Sequence, residues 1–215
     1  MQRLRLRFCR GEELKFISHL DLMRLWQRAL TRAGVAPAYS EGYSPHPRIS
    51  LAAPLALGVT SRAELMDVSL ANWVSPHYLT TAISQQLPPG ITLLQVLQIP
   101  PTLPSLQSQV RSAEYEVELE TKEEQPEIEA KLSRLLSLEE LPWQHQRDTG
   151  TRHYDLRKLV EDIWLIQYHH HSCTLGMRLR CDNLGSGRPE QVAAALGFAN
   201  HPRSIERTKL ILATS

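Results

Sequence analysis

Five prolines crowd residues 88–104: Pro88, Pro89, Pro100, Pro101 and Pro104. No single helix or central strand can run through such a stretch, because proline lacks the N–H that an interior position must donate. The run from Pro100 to Gln109 has no apolar periodicity and reads as a partly extended linker over 101–110. A chain of 215 residues interrupted near its middle is expected to form two small domains, 1–100 and 111–215. At 42% hydrophobic and 22% charged residues, both halves can bury a core.

The same hydropathy pattern runs on each side of the prolines. Leu4, Leu6 and Phe8 alternate with Arg3, Arg5 and Arg7, the period of a half-buried strand. Ser18 is placed to cap a helix with Asp21 in the capping-box position, Leu22, Leu25, Trp26, Ala29 and Ala33 give it a buried stripe, and Gly34 stops it. A strand pair within 36–53, a strand over 64–70, a helix over 76–87 and a strand over 91–99 complete the order. After the linker a strand over 114–120 leads to a helix from Pro126 to Leu138. Strand-like runs follow at 141–147, 162–167 and 174–181, then a helix start at 186–190 and a closing strand over 205–213. The segment Tyr154–Val160 fits helix or strand. The reading is α+β, two ferredoxin-like (split βαβ) domains with antiparallel sheets.

Several classes are set aside by composition. The longest uncharged apolar stretch, Leu51 to Val59, falls far short of the ~20 residues of a membrane-spanning helix. The N-terminus alternates charge where a secretory leader needs an apolar core. Cys9, Cys173 and Cys181 are an odd set without CxxC spacing, which argues against a disulfide framework. A cytoplasmic location and no membrane partner are expected.

Near-neutrality hides a polarity. Residues 1–100 hold ten Lys/Arg against six Asp/Glu, residues 111–148 five against eleven, and residues 149–215 nine against six. The basic residues of the first domain fall into three groups. Arg3, Arg5 and Arg7 share one strand face, and Arg24, Arg28 and Arg32 recur every four residues as one helix stripe. Residues 39–48 form a loop that gathers Tyr39, Tyr43, His46 and Arg48 between Gly42, Pro45 and Pro47. An open basic sheet suits single-stranded RNA, and rings beside a cation suit a base and its phosphate. The competing reading makes the strand arginines a solvated face with cross-strand partners, Asp67 pairing with Arg5, and makes the loop a rigid hairpin connection.

Two other clusters suggest chemistry. Ser18-His19-Leu20-Asp21 has the residue types of a hydrolytic triad, but consecutive helical positions diverge by about 100° and capping explains Ser18 and Asp21 better. His19 stays available as an acid or base. His169-His170-His171-Ser172-Cys173 lacks the second ligand pair that zinc sites use, so a polar hairpin tip is expected and no metal.

The runs Phe16-Ile-Ser-His-Leu-Asp-Leu-Met-Arg24, Ala38-Tyr-Ser-Glu-Gly-Tyr-Ser-Pro-His-Pro-Arg-Ile-Ser50 and Pro54-Leu-Ala-Leu-Gly58, with Glu64 and Asp67, resemble the radical-SAM-linked domain of unknown function. Asp155-Leu-Arg-Lys-Leu159, Ser186-Gly-Arg-Pro189, Ala195-Leu-Gly197 and Arg207-Thr-Lys-Leu210 are similar to its C-terminal half. The resemblance implies a radical-SAM protein as partner and an RNA-connected context; it supplies no catalytic residue. Three dispersed cysteines cannot hold a [4Fe–4S] cluster, so the cluster and SAM would belong to that partner and no cofactor to this chain. The expectation is a non-catalytic accessory domain that binds RNA or presents a substrate through Arg3, Arg5, Arg7, Arg24, Arg28, Arg32, Tyr43, His46 and Arg48. The alternatives are an RNA-processing or RNA-modifying enzyme using His19 or His46, and a protein-interaction module using the acidic face of Glu114, Glu116, Glu118 and Glu120.

Overall fold

The computed structural model describes residues 1–147 and 150–213; Thr214 and Ser215, the end of the expected second domain, lie outside the described residues. The chain divides into two compact units, 1–110 and 111–215.

In the first unit the strands are β1 (Gln2–Arg10), β2 (Ile49–Leu51), β3 (Thr60–Leu70) and β4 (Ile91–Ile99), and the helices are α1 (His19–Arg32), α2 (Pro76–Ser84) and α3 (Leu106–Gln109). The order across the sheet is β4–β1–β3–β2, every neighbour antiparallel. That is the split βαβ arrangement the alternation implies. Leu4, Leu6 and Phe8 point to one face and are fully buried with Met66, Val68 and Leu70. Onto them pack Leu22, Trp26 and Leu30 of α1 and Leu79 and Ile83 of α2. The Trp26 ring meets Phe8 edge-on at 4.8 Å between centroids. Ser18 accepts from Asp21 N–H at 3.1 Å as the cap of α1. Gly34, at φ +70°, takes the left-handed turn that ends it.

The strand pair expected within 36–53 shrinks to the three residues of β2 plus isolated bridges, Pro37 to Leu70 and Tyr39 to Pro47. Prolines at 37, 45 and 47 supply no N–H, so a continuous ladder cannot form there.

The second unit runs β5 (Val110–Glu120), α4 (Gln125–Ser137), β6 (Pro142–Arg147), β7 (Gly150–Asp155), β8 (Val160–His169), β9 (Ser172–Asp182), β10 (Gly185–Ser186), α5 (Pro189–Ala195) and β11 (Ser204–Leu212). Here β8 and the short β10 border β9, and β9, β5 and β11 follow in order, while β6 and β7 pair apart as a hairpin inserted after α4. Its core joins Val117, Leu119, Ile128, Leu132, Leu175, Met177 and Val192. The ambiguous Tyr154–Val160 segment resolves into the end of β7 and a 3-10 turn at 157–159. Among the described residues no helix is long and apolar enough to cross a membrane.

The segment 101–110, read as an extended linker, belongs to the first unit, and its prolines precede a helical turn. Leu106 is fully buried, and the carbonyls of Leu103 and Pro104 accept from the Arg3 guanidinium. Leu106→Ala should therefore cost about 2–5 kcal/mol in urea unfolding, as truncation of a core leucine does. A neutral result would restore the linker reading.

Candidate nucleic-acid interface

Strand parity sends Arg3, Arg5 and Arg7 to the sheet face opposite the helices, but that face is not an open cationic platform. Asp67 sits directly across from Arg5 in the ladder. Its Oδ1 accepts from Arg5 Nε at 2.7 Å, and its Oδ2 accepts from Arg5 Nη2 at 3.0 Å and from Arg3 Nη2 at 2.7 Å. The Arg3 and Arg5 side chains keep only 13% of their surface exposed and Asp67 4%. Charged side chains this far from water stay ionised through such bonds. Asp67 thus occupies both arginines, where the sequence suggested one. Arg7, opposite Leu65, is exposed and makes no hydrogen bond or ion pair among the described residues. Of the three strand arginines expected to meet RNA, the structure leaves that one available.

The helix stripe is different. Arg24 Nη1 reaches Asp21 Oδ1 at 3.2 Å on the surface, while Arg28 and Arg32 are exposed and form no hydrogen bond or ion pair among the described residues, Arg28 adding only its charge to the field at Asp21. The Ser18 hydroxyl, followed by Arg24, holds the Asp21 carboxyl below its usual range. Arg28 and Arg32 edge a shallow cleft of about 540 Å³ beside Gln85 and Gln86, at the end of α2.

The 39–48 loop is braced rather than loose. Ser40 N–H donates to His46 O at 2.8 Å, His46 N–H to Ser40 Oγ at 2.9 Å, and Arg48 N–H to Ala38 O at 2.7 Å. Gly42, at φ +134°, makes the turn that a side chain would strain. These bonds hold Tyr43 fully exposed, with Tyr39 half exposed and the His46 and Arg48 side chains at the surface. Pro37 bridges the last residue of β3, only five positions after α1 ends, so the loop and the Arg32 end of α1 share one end of the sheet. The strand and helix arginines, by contrast, lie on opposite faces and form no common site.

The histidines proposed for catalysis stand alone. His19 is the exposed first residue of α1 and His46 is exposed in the loop, and neither ring has a hydrogen-bonding partner among the described residues. The histidine run sits at the turn joining β8 to β9. Cys173 points into the core, and burial pushes its thiol up to about 11, away from the thiolate a metal would need. No group of three metal-ligating side chains occurs among the described residues.

The acidic face of the second unit is also not bare. Glu114 accepts from Arg178 Nη2 at 2.8 Å, and Arg203 reaches both Glu118 and Glu120. Bonding to Arg203, then its charge, lowers the Glu120 carboxyl. A different feature of this unit escaped the sequence reading altogether: Arg152, Lys158, Arg180 and Arg188, from four separate segments, meet at one cavity.

Asp67→Asn should destabilise the protein by about 3–5 kcal/mol in chemical unfolding, because it strands two poorly hydrated guanidinium groups. A loss below about 1 kcal/mol would mean that both arginines reach water easily and remain available to a ligand.

Comparison with known proteins bears on the fold. The chain aligns over 97% of its length, at 10% identity and a TM-score of 0.54, with 48% of a chain in the crystal structure of a Cbf5-Nop10-Gar1 complex. Two further matches have TM-scores of 0.45 and 0.46. They are a chain of the archaeal box H/ACA sRNP Nop10-Cbf5 complex, at 11% identity, 98% of this chain and 48% of that one, and a chain of an H/ACA RNP bound to a substrate RNA containing 2'-deoxyuridine, at 10% identity, 97% and 47%. This chain spans about half the length of these three, and at 10% identity the likeness to the first is one of fold alone. No curated protein matches the sequence. Residues 3–189 match the family described as "Uncharacterized protein conserved in bacteria (DUF2344)", and the chain belongs to that family.

Proposed function

We propose that this protein is a non-catalytic RNA-binding module that works beside a radical-SAM protein, binding or presenting the substrate on which that partner acts. The observation that supports the RNA part is a set of exposed guanidinium groups that form no ion pair among the described residues: Arg28 and Arg32 on α1, edging one cleft with the end of α2, and Arg48 in the loop that also displays Tyr43. Exposed arginines neutralise phosphates, and an exposed ring gives an unpaired base a face to stack on. The radical-SAM partner rests on the resemblance of the Phe16–Arg24, Ala38–Ser50 and Pro54–Gly58 runs, and the iron–sulfur chemistry would be that partner's.

Binding should be read through its salt dependence. Each phosphate contact on a single strand contributes roughly 0.7 to the slope of log affinity against log salt. Replacing Arg28, Arg32 and Arg48 together by Gln should weaken binding of a single-stranded oligoribonucleotide at low salt and flatten the slope by about two units. Replacing Arg3 and Arg5 should leave the slope unchanged. An unaltered slope in the Arg28/Arg32/Arg48 variant, with folding intact by circular dichroism, would remove this surface from the proposal.

A further inference from the structure

The cavity of the second unit has the composition of an oxyanion site, independent of the surface proposed for RNA. It encloses about 340 Å³, within the range that holds small organic ligands. Arg152 of β7, Lys158 of the 3-10 turn, Arg180 of β9 and Arg188 just before α5 line it, against a single carboxylate in the wall, Asp155. The carboxylates around the site are largely spent on backbone. Asp155 Oδ1 accepts from the N–H groups of Leu141 and Arg157 at 2.9 and 3.0 Å, and its Oδ2 lies 3.2 Å from Lys158 Nζ. Asp182 Oδ1 accepts from the N–H groups of Leu184 and Gly185 at 2.8 and 3.1 Å, while its Oδ2 takes Arg180 Nε at 2.8 Å. Burial opposes the Asp182 charge, and these bonds outweigh it, so its carboxyl lies below the usual range. Held by Nε alone, Arg180 keeps its Nη groups free of any bond among the described residues.

Arg188 approaches Glu190 no closer than 3.9 Å, beyond hydrogen-bond range. The Arg152 guanidinium lies 5.7 Å from the Tyr154 ring centroid and has no ion-pair partner among the described residues.

The wall also holds a buried donor with nothing to bond. Gln191 is 6% exposed; its Oε1 accepts from the Tyr154 hydroxyl, and its Nε2 has no partner. A buried amide N–H without an acceptor is a standing cost of about 1–3 kcal/mol, which an acceptor entering the cavity would relieve. What this wall offers is therefore mostly N–H donors and positive charge; the one buried acceptor without a hydrogen bond among its described residues, Asp155 Oδ2, faces the Lys158 ammonium at 3.2 Å. Beside them stand the Tyr154 ring, Leu159 and an 80% exposed Leu184, apolar surface that inorganic phosphate alone would not use.

We propose that this cavity binds a nucleotide, with Arg152, Arg180 and Arg188 on the phosphate oxygens, Gln191 Nε2 donating to the same ligand, and Tyr154 and Leu184 against its organic part. The test is calorimetric titration of the full chain with ADP, AMP, adenosine, inorganic phosphate and citrate. ADP should bind one to one, and adenosine should not bind. Arg188→Gln, an exposed change that leaves the fold intact, should weaken ADP at least tenfold, as loss of a charge-assisted bond does. Gln191→Leu should weaken it as well, while Arg28→Gln in the first unit should leave it unchanged. Absence of ADP and AMP binding at millimolar concentration overturns the proposal, as does binding that Arg188→Gln leaves unaltered. Phosphate or citrate binding as tightly as ADP reduces the cavity to an adventitious ion site only and likewise overturns it. Loss of the RNA salt dependence with ADP binding preserved would bear on the first unit alone.

Discussion

One carboxylate decides what the first unit can present. Asp67, 4% exposed, accepts bonds from two arginines of the neighbouring strand, and Arg3 extends the network to the carbonyls of Leu103 and Pro104. Two guanidinium groups on one strand face would repel each other and resist burial. A shared counter-ion with every oxygen engaged makes their removal from water tolerable. The same bonds fasten the 101–110 segment against β1, which is why five prolines that look like a hinge become part of a folded unit.

That network divides the basic residues by role. Arg3 and Arg5 are structural, and the exposed positive charge of the first unit lies on Arg7, on α1 and in the braced loop. The second unit repeats the device: Glu114 pairs across the ladder with Arg178, and Arg203, just before β11, takes Glu118 and Glu120. Alternating charge on a strand therefore reports cross-strand pairing here, and surface chemistry is left to residues with no ladder neighbour of opposite sign. Arg28, Arg32, Arg48 and, in the second unit, Arg152 meet that description.

Much of the architecture was legible because it rests on short-range periodicity. Alternation over 2–9 pointed to β1, the Ser18–Asp21 cap and Gly34 to both ends of α1, and the repeated order of elements implied the split βαβ arrangement. The strand pair expected within 36–53 is cut to β2 and two bridges, since proline spacing governs the ladder more than residue propensity does. The linker was misread because one buried leucine and two carbonyls hold it, and neither leaves a periodic trace. The pairing of Asp67 with Arg5 was foreseeable from strand adjacency, whereas the diagonal reach of Arg3 depends on register. The cavity in the second unit was invisible for a plainer reason. Its cations come from positions 152, 158, 180 and 188, none of which forms a motif, and Gln191 counts as a donor only once its burial is known.

The central claim is that Arg3 and Arg5 of β1 serve the fold while α1 and the 39–48 loop face the ligand. Chemical-shift mapping of the full chain during titration with a single-stranded oligoribonucleotide tests it directly. The account predicts shifts at Arg28, Arg32, Tyr43 and Arg48, with the Arg3 and Arg5 guanidinium signals unmoved. Shifts concentrated at Arg3 and Arg5, with α1 and the loop silent, would contradict it.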